Sequence, residues 1–384
     1  MNRLDKKKPL QLSIVSEIDA FARMADEWRA LARQASASFF MNWEWHYTWW
    51  QVYSKPNHRL YLVRFTLGDI LVGLLPMYSH RPRFALSRTL MFLGTGEAVD
   101  DEVATEYLDL IAHPDHQHGV ADAAIEWLSS YERWAVVELR YLLDDALLVQ
   151  VYRSREKLAI LERCVGNRYR VPLELNEAAY IKNISKSRTK RMERSRRALA
   201  RDGGFKQTSV ASAAELNKAF HSLAELNHER QTHKNRKSVF ASEKFNRFHR
   251  LLIELVIEHG GVNIHQFKLK HSLLAVIYCF YDRQTCYYYQ SGFSKRAANK
   301  YMPLTFAHLA EMERNRGLGR RYYDFMRAEP PSYKEDFGCE ATPMVTTFIF
   351  CSKWRLVGFT TRKAIRRKLV TVLNTLGINR NLMQ

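Results

Sequence analysis

Sulfur is scarce in this chain of 384 residues: there are five cysteines, an odd number, and no two of them form a CxxC pair. That pattern argues against a zinc knuckle or a disulfide framework and fits reduced thiols in a cytoplasm. No metal is expected. No apolar run approaches the ~18 residues of a membrane span. Met1 to Pro9 is charged and polar with no apolar stretch behind it, so a secretory signal is not expected and the chain reads as cytoplasmic. There is no GxSxG elbow and no recognisable Ser–His–Asp order, which removes support for a hydrolase triad. No aromatic pattern of an RNA-reading module accompanies the basic residues, so sequence-specific nucleic-acid recognition is not expected. Acid is also in short supply: 40 Asp+Glu face 59 Lys+Arg, and none follows Glu340.

What is present is charge in blocks. The formal net charge of +19 calls for an anionic partner: nucleic acid, an anionic membrane surface or a polyphosphorylated small molecule. Lys186, Arg188, Lys190, Arg191, Arg194, Arg196, Arg197 and Arg201 crowd one predicted helix, opposed only by Glu193 and Asp202. A second block is the tail, 353–384. There Ile365, Leu369, Val372, Leu373 and Leu376 form one helical stripe flanked by Arg362, Lys363, Arg366 and Arg367. Such a helix either docks on the body or lies on an anionic inner leaflet. Hydrophobic content of 46% excludes a disordered chain, and the length predicts two domains or one large one.

Periodicity predicts helices at 16–35 and 43–53, a hairpin at 60–65 and 70–78, strands at 90–93 and 107–111, a helix at 117–131 and a strand at 135–139. The second half repeats this grammar. It has helices at 176–202, 212–229 and 242–258, a meander at 263–270, 274–281 and 285–291, a helix at 303–316 and a strand at 322–326. The order predicts two α/β units, 10–170 and 171–352, joined near Asn167 to Asn176 and followed by the tail.

The run Tyr322-Tyr323-Asp324-Phe325-Met326-Arg327-Ala328-Glu329-Pro330-Pro331-Ser332-Tyr333-Lys334 ends a strand on two prolines and gathers acid, base, phenol and amine at its end. Strand ends followed by irregular loops are where α/β folds put chemistry. A salt-bridged loop has the same pattern. His116-Gln117-His118-Gly119-Val120-Ala121 follows a strand and opens a helix, the setting of an anion cradle or of an ordinary loop. Glu97, Asp100, Asp101, Glu102 and Glu106 form the one acidic cluster, either a solvated loop or an attractor for an amine-bearing acceptor. Trp43, Tyr47 and Trp50 share one helix face, and Trp45 and Trp49 share another. One face is core; the other is core as well or lines a cleft where a sugar stacks.

The order helix–helix–meander–helix–strand is that of the GNAT acyltransferase fold. Tyr288-Tyr289-Gln290-Ser291-Gly292-Phe293, Tyr301-Met302-Pro303-Leu304, Tyr323 to Glu329, Tyr333-Lys334 and Phe337-Gly338 resemble the C-terminal signature of a two-domain, FemAB-like branch of that superfamily, a bacterial family associated with exopolysaccharide or cellulose synthesis. Phe39 to Trp50, Leu71 to Pro76, Phe92-Leu93-Gly94 and Tyr107 to Leu110 are similar to its first domain. Where that family shows Ser-Pro-Gly this chain has Tyr301-Met302-Pro303, and Pro330-Pro331-Ser332 looks like an insertion.

The resemblance implies two tandem GNAT-like domains, each a mixed, mostly antiparallel sheet flanked by helices. It implies an acyltransferase that takes acyl-CoA, acetyl-CoA first of all, and transfers the acyl group to an amine or hydroxyl of a sugar- or envelope-related acceptor. Aminoacyl-tRNA as donor, or a non-catalytic component of a polysaccharide-synthesis assembly, are its alternatives. In family-like positions Glu329 is the expected base and Tyr333 or Tyr289 the acid. Asp324 orients Arg327 or the loop, and Arg327 and Lys334 hold anionic parts of donor or acceptor; Trp49, from the aromatic helix, is the candidate stacking ring. Tyr301, Pro303 and Leu304, or else His116 and Gly119, are expected beside the cofactor.

Overall fold

The computed structural model describes residues 9–81, 87–130, 134–174, 184–210, 212–232, 236–350 and 352–361. The first half runs β1 (Leu10–Val15), α1 (Ile18–Arg23), α2 (Ala25–Gln34), α3 (Trp43–Tyr53), β2 (Arg59–Leu67), β3 (Ile70–His80), β4 (Thr89–Phe92), β5 (Ile111–Ala112), α4 (Gln117–Leu128), β6 (Val136–Leu143), α5 (Leu147–Arg153) and β7 (Ala159–Pro172). The second runs α6 (Lys186–Arg201), β8 (Lys206–Thr208), α7 (Ala213–Thr232), α8 (Glu243–Val256), β9 (Val262–Leu269), β10 (Ser272–Tyr281), β11 (Thr285–Phe293), α9 (Lys295–Tyr301), α10 (Pro303–Gly317), β12 (Tyr322–Ala328) and β13 (Glu340–Phe350).

Local chemistry explains most of these elements. Gly68, at φ +62°, closes the β2–β3 hairpin, a conformation that costs glycine little. Ser185 caps α6 by accepting from the Arg188 N–H, and Ser242 caps α8 by accepting from the Phe245 N–H at 3.1 Å. In α8 the buried residues Phe245, Phe248, Leu252, Ile253 and Val256 recur at helical spacing and form its inner face. The helix expected over 16–35 breaks at Met24, whose N–H bonds back only three residues, to Phe21.

The strands form one sheet in the order β1-β2-β3-β4-β6-β13-β7-β12-β11-β10-β9-β8, with β5 on β3. The two halves therefore exchange strands. β13, from the end of the second half, lies between β6 and β7. The junction expected near 167–176 begins inside β7, which pairs with β12 through residues 167–172. One core fills the first half and continues onto one face of the second-half sheet, through Tyr278, Phe280 and Tyr289. A second core, with Tyr288, Met312, Tyr323 and Phe325, lies on the opposite face. At α3, Trp43, Trp45 and Trp49 are all buried, so both aromatic faces of that helix belong to the core.

Several expectations change. The strand predicted at 107–111 shrinks to Ile111–Ala112, because Ala104 and Tyr107 adopt positive φ and 93–110 becomes a loop that reaches the second half. Between the meander and the helix predicted at 303–316, where no element was predicted, Lys295–Tyr301 form α9. β1, α5, β7, β8 and β13 went unpredicted. The tail helix expected at 361–376 lies outside the described residues apart from its first position, although a helix does occupy 353–361. No helix among the described residues is long and apolar enough to cross a membrane.

Candidate functional site

The site starts from a fault in the sheet. β11 and β12 are parallel and pair only from Thr285–Tyr287 to Tyr322–Asp324. Beyond that, each strand is irregular. Tyr289 is an extra residue against β10, which pairs Tyr278 with Gln290 and Cys279 with Tyr288. Met326 adopts φ +62° where β12 slips against β7. Bulges bend strands and end ladders. Here they leave a gap between the distal ends of β11 and β12.

Lys334 props this gap open. It is 8% exposed, and its ammonium donates to the carbonyl oxygens of Phe325 at 2.5 Å, Met326 at 3.1 Å and Arg327 at 2.9 Å. All three ammonium protons are used on the irregular turn of β12. Lys334 thus holds backbone, where an anion-binding role was expected. Burial lowers its pKa, opposed by Glu106 and Asp324. Arg327 likewise turns inward: its backbone N–H donates to Glu106 at 2.8 Å and its Nη1 to the Val165 carbonyl at 3.0 Å. Asp324 is buried and accepts from the Tyr107 hydroxyl at 2.8 Å and the Met326 N–H at 2.6 Å, both through Oδ1.

On one face of the gap lies a cavity of about 550 Å³, walled by Arg188, Arg191, Arg194 and Arg230 and floored by Phe293, Met302, Pro303, Leu304 and Phe337. α10 starts here. Proline occupies its first turn, and Met302, at φ +46°, offers no side-chain cap. Uncapped helix N–H groups and the helix dipole favour an anion at such an end. Arg188 pairs with Asp336, and Arg230 lies 5.3 Å over the Phe293 ring. His308 also lines the cavity. It is fully buried, its Nδ1 meets the Tyr323 hydroxyl at 2.9 Å, and its Nε2 has no partner among the described residues. Burial pushes its pKa down to about 3, so the ring is neutral. Tyr333 stands in the cavity wall, 41% exposed.

The other face of the gap meets the first half. Tyr289 is buried and donates to the Val103 carbonyl at 2.7 Å, and it shares His249 with Tyr278 in a buried chain of 3.1 Å contacts. Around it stands the acidic segment seen in the sequence. Glu97 accepts from the Trp49 indole N–H, and Glu102 accepts from Tyr141 at 2.7 Å. Burial raises Glu97 to about 8, with a smaller push from Glu102. Glu106 is raised to about 7 by burial, with Arg327 opposing.

The remaining expected residues fall apart in space. Glu329 is exposed just past β12. Trp49 is 1% exposed in the core, and its N–H is committed to Glu97. Pro303 and Leu304 line the cavity, whereas Tyr301 donates to Asp202 at 2.7 Å and ties α9 to the end of α6. His116 and Gly119 open α4 in the other half. A Cβ on Gly119 would meet nothing within 4 Å, so no close backbone approach requires glycine there. His308 and Arg230 were missed, since neither stands in a motif. One buried group of metal-type side chains, Cys279, Cys286 and Glu311, occurs among the described residues; its carboxylate already accepts from Gln207 and Asn315.

Residues 186–335 match the family model of the acetyltransferase (GNAT) domain. The fold resembles the crystal structure of FemX at TM-score 0.62 and 9% identity, over 91% of this chain and 99% of that one. It also resembles the C-terminal domain of a putative lysylphosphatidylglycerol synthetase from Agrobacterium fabrum, at TM-score 0.53 and 10% identity, over 92% of this chain and 97% of that one. A conserved protein of unknown function from Bacteroides thetaiotaomicron matches at TM-score 0.51 and 8% identity, over 88% of this chain and 100% of that one. At such identities the likeness concerns fold. No curated protein matches the sequence.

Proposed function

We propose that this chain, an acyltransferase with a GNAT domain in its second half and a FemX-like fold, transfers an acyl group from acyl-CoA to an amine or hydroxyl of a sugar- or cell-envelope-related acceptor. The observation that carries the reading is the gap between β11 and β12 beside an uncapped helix N-terminus and four arginines. The Leu304 and Thr305 N–H groups and Arg191 and Arg194 would take the donor's pyrophosphate. The pantetheine would run into the gap and bring the thioester to the opposite face. There the acceptor nitrogen attacks the thioester carbon, the C–S bond breaks, and the thiolate leaves with a proton.

An acceptor amine arrives as an ammonium and must lose a proton before attack. The acidic wall of Glu97 and Glu102 suits its attraction. Glu97, in the acidic wall beside Tyr289, is the group we assign as proton acceptor; burial raises its pKa to about 8, so its basic form grows as pH rises toward 8. Glu329, at the open end of β12, is the competing assignment. Tyr289, on the opposite face of the gap, is our assignment for protonating the thiolate, with Tyr333, which lines the donor cavity, as the alternative. An aminoacyl-tRNA donor is the second reading. The arginine face of α6 and the likeness to FemX favour it. The protein is proposed to act in the cytoplasm, with the basic tail, 353–384, making peripheral contact with an anionic membrane.

Thermal shift of the full chain against acetyl-CoA, longer acyl-CoAs and free CoA tests the donor assignment. Specific stabilisation, graded by acyl group, is expected from linkage. No shift with any of them, together with a shift by aminoacyl-tRNA, would move the assignment to the second reading.

A further inference from the structure

The sheet ends on β1 at one side and on β8 at the other, and the two edges are built differently. β8 is three residues long and opens on Lys206. Short, charged strands defend an exposed edge, whose free N–H and C=O groups invite another chain. β1 has neither feature. Its six residues, Leu10-Gln11-Leu12-Ser13-Ile14-Val15, carry no charge in a chain of net charge +19. It pairs with β2 from Leu10–Leu67 to Val15–Leu62, and its other edge is unpaired among the described residues. Gln11, Leu12 and Ser13 are exposed, Leu12 to 43%. Ile70, after the β2–β3 turn, and Ile18, at the start of α1, are exposed as well.

The strand is complementary to itself. Side chains alternate along it, so Leu10, Leu12 and Ile14 share one face and Gln11, Ser13 and Val15 the other. Leu10 and Ile14 rest against the core of the first half, and Leu12 stands exposed between them. Residues directly opposite in an antiparallel ladder share a face, so a two-fold axis through the ladder passes at a residue and not between two. At Leu12 it sets Leu12 against Leu12 of the second copy, Leu10 against Ile14 and Gln11 against Ser13. Apolar then meets apolar and polar meets polar. At Ser13 it would oppose Leu10 to Ser16 and Gln11 to Val15, which mixes the two. The flanks agree with an antiparallel match. Lys6, Lys7 and Lys8 precede the strand and Glu17 and Asp19 follow it, so each basic flank comes beside an acidic one. The Glu17 side chain makes no cap to α1 that such pairing would break.

We propose that β1 is a self-association surface: two copies of this chain pair β1 antiparallel about a two-fold axis at Leu12, and the sheet runs on from one molecule into the next. The free edge supplies the backbone ladder, the row Leu10, Leu12 and Ile14 supplies the apolar contact, and the charged flanks fix the direction. The occupant is a second copy because the match is isologous, each feature meeting its own complement. β1 stands at the outer edge of the first half, far along the strand order from β11 and β12, so the proposal does not depend on acyl transfer at the gap.

Sedimentation velocity of the full chain over ~1–100 µM, a window that detects a micromolar dimer, tests the proposal. A species of twice the monomer mass is expected. L12K sets two ammonium groups against each other at the axis, and like charges directly across a ladder destabilise it. The dimer should weaken by about tenfold or more, while the melting temperature of the dilute protein stays as in the wild type. L12C should form an intermolecular disulfide on mild oxidation, because opposed residues at the axis lie at ~4.5–5.5 Å between Cα atoms, within a disulfide's span. S13C, on the other face, and the wild type with its native cysteines should not crosslink. If L12K does not fold, the two cysteine variants carry the test. A wild type that stays monomeric across the window, a dimer that L12K leaves intact, or crosslinking of S13C in place of L12C overturns the proposal.

Discussion

Lys334→Met should damage the fold far more than a substrate-binding lysine would. The wild-type ammonium satisfies the carbonyls of Phe325, Met326 and Arg327, and methionine leaves all three without their donor. Each hydrogen bond from a charged group contributes roughly 1.5–3 kcal/mol, so the gross loss is about 5–9 kcal/mol. Relief from desolvating a buried ammonium returns several of these, which leaves a net cost of about 3–5 kcal/mol, the usual range for breaking a buried charged contact from one side. At ~2–4 °C per kcal/mol the melting temperature should fall on the order of 10 °C. Lys334→Arg should not rescue it, because a planar fork cannot aim three protons at three successive carbonyls. Differential scanning fluorimetry of the three proteins, with and without acetyl-CoA, is the assay. A Lys334→Met protein that melts within about 2 °C of wild type but loses its acetyl-CoA shift would refute the argument and return Lys334 to anion binding.

Arg191→Gln with Arg194→Gln should weaken acetyl-CoA binding by about tenfold or more without changing the apo melting temperature, because both side chains stand at the mouth of the cavity and not in the core. Glu97→Gln should lower turnover by ~10²–10⁴ if Glu97 takes the proton, while Glu329→Gln lowers it little; the reverse ranking, measured by acceptor-dependent thiol release, reassigns the base. The same variant carries a stability signature. The folded state holds the Glu97 proton up to about 8 against an ordinary 4.5, so this stabilisation is fully present below 4.5 and lost as pH rises through 8. Glutamine mimics the protonated form at every pH, so the variant and wild type should melt together at pH 5 and the variant should become the more stable by about 2–5 kcal/mol near pH 9; parallel curves would show that Glu97 titrates normally. A fragment of residues 176–384 should be inactive and aggregation-prone, since β13 would lose both β6 and β7 and expose two strand edges; a soluble, monomeric, active fragment would contradict the strand exchange.

Local patterns reached the parts of this fold that local chemistry decides. Alternation and Gly68 gave the β2–β3 hairpin, the second-half meander fell within two residues of its observed limits, and the aromatic run at 43–53 is α3. β7 and β13 escaped for a physical reason. β7 carries Glu162, Arg163, Arg168 and Arg170 and is buried only intermittently, and β13 contains Pro343 at the point where its register against β7 slips. Neither strand alternates cleanly, and each exists because a distant strand completes its ladder.

The site divides along the same line. The arginines of α6 and the proline that starts α10 are local signals, and both line the same cavity. Lys334 shows the opposite case. A cation beside a strand end reads as an anion ligand, yet whether it meets solvent or backbone depends on the positive φ of Met326, which no neighbouring residue announces. Glu106 reaches the Arg327 N–H across 221 residues, and Tyr107 reaches Asp324 across 217. The face of the gap opposite the cavity is thus assembled from a loop of one half pressed on a bulge of the other. A sequence can nominate its acids and bases one by one. Only the docking of the halves decides which of them lose solvent, and with it which carboxyls are poised to exchange a proton near neutral pH.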